Sequence, residues 1–201
     1  MNHQMSKTSL NLKLPALLGL IALLPIVAQA HPGHGPADSF ASGLNHPFHG
    51  LDHILAMVAV GLWAAQLGGR SLWLVPATFV SLMTVGGAMG MMGVPVPMVE
   101  TGIMVSVLVM GLLIASAARL PLAASMSLVG LFAIFHGFAH GAEIPAAASG
   151  LSYGLGFVLA TAMLHACGIA LGIFAKKSLA APAIRFAGAA IMICGLCLWL
   201  A

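Results

Sequence analysis

Six apolar runs, each about the length of a bilayer-spanning helix and separated by short connections, leave this chain of 201 residues little choice of fold. They lie at about Leu44–Leu67, Ser71–Gly93, Met98–Ala118, Leu120–Ala142, Ser149–Ala175 and Pro182–Leu200. In lipid, a backbone must satisfy its own hydrogen bonds, and runs of this length do so as helices. The chain therefore reads as all-α: a polytopic membrane protein, a compact bundle of six transmembrane helices. Short connections imply that consecutive helices pack antiparallel. Composition excludes the soluble alternatives. With 61% hydrophobic and 5% charged residues, and a mean hydropathy of +1.08, a soluble fold could not cover its outside. The net charge of +3 comes from basic residues spread along the chain, not gathered in a patch, so nucleic acid is excluded as a partner.

Residues 1–30 read as a cleavable signal peptide. Lys7 and Lys13 make a positive start, Leu14 to Val27 a short apolar core broken by Pro15 and Pro25, and Ala28-Gln29-Ala30 a small-residue cleavage site. Cleavage begins the mature protein at His31. Residues 31–43 are then a periplasmic arm kept irregular by Gly, Pro, Asp38 and Ser39, in which His31 and His34 either chelate metal weakly or simply accompany a polar tether. Residues 44–201 form the transmembrane domain. With the mature N-terminus periplasmic, Arg70, Arg119, Lys176, Lys177 and Arg185 all fall at cytoplasmic ends, while the outer loops hold only acids such as Glu100 and Glu143. Signal peptide and charge bias agree on a multi-pass protein of the bacterial inner membrane.

Against this apolar background, HPFHGLDH (His46 to His53) is costly to keep at the edge of a span and demands a functional reason. On a helix His46, His49 and His53 fall within roughly 60°, with Asp52 beside His49. His136, His140 and Glu143 on the fourth span stand at i, i+4 and i+7, again within roughly 60°. Asp52 lies about 27 Å along its helix from Arg70; His136 and His140 lie about 25 and 31 Å along theirs from Arg119. Two donor stripes on oppositely directed helices thus reach the same outer depth. Both contain His-Gly-x-x-His, but the second motif is at the wrong end of its helix for an inverted repeat.

His165 differs, sitting about 16 Å from Lys176 near the midplane, one turn beyond Thr161. It reads either as a hydrogen-bonded contact between helices or as a step on a transport path. Met57 lies one turn inward of His53, and Met89, Met91, Met92 and Met98 cluster near the outer end of the second span; methionine in a bundle is mostly packing. The glycines of the second and fifth spans suit close helix approach or a narrow polar path equally. Cys194 and Cys197 form Cys-x-x-Cys without the βαβ context of a redox site, so buried packing is expected; Cys167 stands alone.

These same residues make the sequence resemble the HupE/UreJ family of nickel and cobalt permeases. HPFHGLDH resembles its His-x5-Asp-His motif, here His46, Asp52 and His53. FHGFAHGAE resembles its fourth-helix motif, YGLGFVLATAMLH its fifth-helix signature with Tyr153, Thr161 and His165, and PMVETGIMVSVLVMG, with Glu100, fits the third helix. The resemblance implies uptake of Ni²⁺ or Co²⁺ for metalloenzymes such as hydrogenase or urease, an indirect link to their maturation.

The donor chemistry agrees with a divalent transition metal carried as substrate, with no permanent cofactor. Imidazole and carboxylate capture such an ion yet exchange it, whereas a thiolate cage would hold it. His46, His49, Asp52, His53, His136, His140 and Glu143 exceed one octahedral shell, so four to six are expected to ligate and the others to orient or relay, with His165 as an inner step. Asp52 and Glu143 are suited to orienting imidazoles. No Walker-type loop is present. The main rival is an intramembrane metal-dependent hydrolase using the same His/Asp site, which would keep its metal and activate water. A metal sensor or assembly partner is a third reading, for which the chain offers few loops. Metal flux into proteoliposomes separates permease from hydrolase.

Overall fold

The computed structural model describes residues 36–144, 148–178 and 182–200. The expected signal peptide and the His31/His34 stretch lie outside the described residues. Seven helices follow in order: α1 Pro36–Asn45, a 3₁₀ turn His46–Phe48, α2 Leu51–Leu67, α3 Ser71–Met91, α4 Val99–Ala115, α5 Leu122–Ala142, α6 Gly150–Ser178 and α7 Pro182–Leu200. Among the described residues there is no strand. Four helices (α3, α5, α6 and α7) are long and apolar enough to cross a bilayer, and α1 with α2 would make a fifth span bent by 81°. α4 is apolar but shorter, at 17 residues. The chain is an all-helical, multi-pass membrane protein.

The first expected span, Leu44–Leu67, is therefore not one straight helix. Pro47 lacks an N–H to continue a ladder, and Gly50 is extended at φ −112°, ψ 121°, so the helix breaks and restarts at Leu51. The arm expected to be irregular as far as Gly43 is instead helical from Pro36. Proline suits the first turn of a helix, and α1 is held by docking on α6: a Cβ at Gly43 would sit 2.0 Å from the Tyr153 carbonyl oxygen, and the Ser149 N–H donates to Ser39 Oγ at 3.1 Å.

Helix pairing also departs from the expected order. The most extensive contacts join α3 to α5 and α2 to α6, which are not neighbours in sequence. Small residues decide this. Gly86 of α3 meets the backbone of Ile134, Gly87 meets Gly137 and Gly141, and Gly90 meets Phe138 and Gly141 of α5. A Cβ at Gly137 would lie 1.9 Å from the Met83 carbonyl oxygen, and one at Gly141 would lie 2.1 Å from that of Gly87. Across α2 and α6, a Cβ on Gly61 or Gly168 would come within 2.2 Å of the His165 or Val58 carbonyl oxygen, respectively. In both pairs the residue numbers rise together, so the partners run parallel. Without a hydrophobic drive between helices in lipid, close backbone approach at small residues selects partners, and here it outweighs adjacency. Of the two readings left open for glycine, close packing accounts for these positions.

α2 is the central helix, with nine of its 17 residues buried, Met57 and Trp63 completely. Its C-terminal end is tied to its neighbours through helix-end carbonyls, which lack partners of their own. Lys176 donates to the Ala65 and Gln66 carbonyls; Gln66 and Trp63 donate to Ile114 O and Ala118 O at 3.1 Å each; Arg185 donates to Ala115 O at 2.8 Å. Cys194 and Cys197 are exposed on α7, not buried as expected, and Cys167 is exposed on α6. On an all-apolar helix no polar face exists to reveal which side turns outward. Met91, Met92 and Met98 are exposed as well.

Candidate metal site

The helix break at Pro47–Gly50 turns His46 away from the axis of α2 and over the C-terminal end of α5. There His46 Nε2 lies 3.4 Å from Glu143 Oε2, and His140 Nδ1 lies 3.8 Å from the same oxygen. The three donor atoms lie within 4.8 Å of one another, a spacing from which one ion could be held. Glu143 is the exposed member, His46 intermediate and His140 buried. The group therefore opens outward through its carboxylate and leads inward through an imidazole.

His140 begins a line of rings into the protein. Its ring centroid is 4.6 Å from that of His46 and 4.4 Å from that of His53, and His53 is 5.5 Å from His136. α2 and α5 are bridged here by these side chains; their backbones stay apart because α5 is drawn to α3 and α2 to α6. Two of the rings are oriented by fixed partners. His53 Nδ1 donates to Asp52 Oδ1 at 2.8 Å, and His136 Nδ1 donates to the Phe132 carbonyl at 2.9 Å. Each hydrogen bond commits Nδ1 as donor and leaves the Nε2 lone pair free, the arrangement a metal-ligating histidine requires.

Those lone pairs have no protein partner. His53 Nε2, His136 Nε2 and both nitrogens of His140 and His165 are buried without a hydrogen bond. Buried polar atoms in folded proteins are rarely left bare, and six imidazole nitrogens in one region call for an explanation.

His165 is set apart from the others. Phe79 lies between it and the line, its ring 5.6 Å from His136 and 5.0 Å, perpendicular, from His165. Both His165 and Phe79 are almost wholly buried, and one turn away Thr161 donates to Met83 Sδ at 3.6 Å. Aromatic rings also brace the outer group: Phe157 lies 4.3 Å from His140, and Tyr153 lies 5.7 Å edge-on to His46.

Of the eight residues expected to handle metal, His46, His53, His136, His140 and Glu143 come together, and Asp52 orients His53. Asp52 was expected beside His49; the break at Gly50 removes that register. His49 is exposed, its Nδ1 bonded to the Asn45 carbonyl at 3.0 Å and its ring 6.5 Å from that of His46. His165 stands beyond Phe79. Glu100, singled out by the resemblance, is exposed in the first turn of α4 and outside the His46–His140–Glu143 group. Residue patterns missed Phe79 and Phe157, since an aromatic residue inside a uniformly apolar run carries no distinguishing signal.

Comparison with known proteins bears on the same residues. The sequence profile of the HupE / UreJ protein family matches residues 18–198. Protein HupE of Rhizobium leguminosarum bv. viciae is 44% identical over 183 residues, covering 91% of this chain and 95% of its own length. No solved structure matches.

Proposed function

The chain belongs to the HupE/UreJ family, and we propose that it is an inner-membrane permease importing Ni²⁺ or Co²⁺ through a capture site at the outer ends of α2 and α5. The observation that carries this reading is the line of buried, unpartnered imidazole nitrogens that starts at an exposed carboxylate. In this reading Glu143, His46 and His140 receive the ion. His53, oriented by Asp52, and His136 take it next, and His165 is the inner step. His49, exposed at the rim, belongs to the approach. The bent α1–α2 pair and the short α4 each count as one crossing, giving six spans, with the signal peptide removed and the mature N-terminus periplasmic. The cytoplasmic side is the one carrying Arg70, Arg119, Lys176, Lys177 and Arg185.

Such a carrier needs no nucleotide. At an inward-negative potential of about 100 mV a divalent cation gains about 4.6 kcal/mol, enough for roughly thousandfold accumulation. Neutral imidazoles and carboxylates hold a borderline ion at moderate strength, and several similar stations in series let it move on. The ion delivered serves metalloenzyme maturation in the cytoplasm. Uptake of radiolabelled Ni²⁺ and Co²⁺ tests the reading, in cells carrying the wild type or the His140→Ala, His136→Ala, Asp52→Asn and His165→Ala variants. Saturable uptake that disappears in the first two variants, with the protein still inserted, supports the permease; uptake unchanged in all four overturns it. Proteoliposomes that bind metal without flux would favour the hydrolase.

A further inference from the structure

Tyr153 is the only tyrosine in the chain, and its placement is chemically odd. The side chain is 3% exposed, and its hydroxyl is buried with no hydrogen-bond partner among the described residues. A buried tyrosine normally finds a partner for its O–H, and where only packing is needed phenylalanine fills the space without that cost. Phe157, one turn further along α6, does so against His140. The hydroxyl of Tyr153 therefore needs a purpose of its own.

Its surroundings suggest one. The ring stands edge-on to His46, and Tyr153 and His140 both line a cavity of about 170 Å³ between α3, α5 and α6, whose other walls include Met83, Gly87, Gly141 and Phe157. Beside the outer ion group there is thus open volume, and the tyrosine that helps to line it carries a buried phenol oxygen with no partner among the described residues. The group itself offers three protein donors: His46, His140 and Glu143. An ion that keeps six ligands must bring its remaining ones with it, as water. An ion content with four needs only one more.

We propose that Tyr153 is a specificity-determining residue: its phenol oxygen accepts a hydrogen bond from water carried by the captured ion. The site then favours a six-coordinate dication such as Ni²⁺ or Co²⁺, which keeps several waters beside the three protein donors, over Zn²⁺, whose tetrahedral shell keeps at most one. The buried hydroxyl then gains a partner only when a hydrated ion is present. This rests on the capture-site reading of His46, His140 and Glu143.

The test uses the full chain purified in detergent, titrated with Ni²⁺, Co²⁺ and Zn²⁺ by calorimetry, with Tyr153→Phe as the variant because it keeps the ring. Ni²⁺ and Co²⁺ affinity is expected to fall by about tenfold, as for loss of other groups that support a metal shell. Zn²⁺ affinity should stay within about twofold. The visible absorption of bound Co²⁺ should change from the weak bands of six-coordination toward the intense bands of a tetrahedral site. Unchanged affinities and spectrum would overturn the proposal. So would an equal loss for all three ions, since that would mean the hydroxyl only props the His46 ring. If the wild type binds none of the ions, the capture-site reading falls first and this proposal falls with it.

Discussion

The two ends of the helix bundle are built on opposite principles. At the Lys176 end the polar side chains that tie the helices together are mostly donors, and they are spent on carbonyls at or just past helix ends: Gln66, Lys176 and Arg185 each reach a carbonyl of another helix, and Trp63 reaches Ala118 in the turn after α4. Among the described residues, Gln66 Oε1 is the buried side-chain polar atom left bare there. At the Glu143 end the polar atoms are mostly acceptors or lone pairs, and most are left unmet. The first arrangement is what stability asks for, since helix C-termini carry partial negative charge and unsatisfied carbonyls. The second leaves buried polar atoms without partners, a cost that stability alone does not explain. One end holds the bundle; in the proposed reading the other receives the ion.

Substitution at the unmet end should cost function far more than stability. His140→Ala removes the ring common to the outer group and the inner line; saturable Ni²⁺ uptake is expected to fall more than about 100-fold, with membrane levels near wild type by immunoblot. Asp52→Asn keeps the shape but weakens the orientation of His53, so Ni²⁺ affinity measured by calorimetry should drop by about 10- to 100-fold. Acid should act in the same direction. Protons compete with metal for imidazole nitrogens, so initial uptake rates should fall as the pH is lowered from neutral to about 5. Uptake flat from neutral pH to about 5 would break the imidazole account of this end.

At the spent end the pattern should reverse. Lys176→Met removes the donor to Ala65 and Gln66 and should lower thermal stability in detergent by about 1 kcal/mol, leaving Ni²⁺ affinity unchanged. A large loss of affinity would mean that the two ends are coupled more tightly than their chemistry indicates. The smallest effect is expected for His49→Ala. This ring is exposed and already bonded to its own backbone, and a change of about twofold or less in uptake would assign it to the approach and not to the ligand set.

Much of the candidate donor set stands out in the sequence because it violates its background. A histidine or carboxylate inside an apolar run is costly, so His53, His136, His140 and Glu143 declare themselves by residue type alone. Helical spacing then correctly put His136 and His140 on one face. The same spacing misread His49, because a helix was extended through Pro47 and Gly50, where the backbone breaks. Phe79 and Phe157 could not be seen at all: helices apolar on every side give no periodicity from which to infer a facing partner.

Residue types along the chain were sufficient to dictate membrane-spanning helices, because transfer into lipid depends on local composition and length. Which helices touch was decided only in three dimensions. That choice rests on backbone approach at Gly61, Gly137, Gly141 and Gly168, a matter of ångströms between residues far apart in sequence. It draws α5 to α3 and α2 to α6, and so leaves between α2 and α5 a seam bridged by imidazoles.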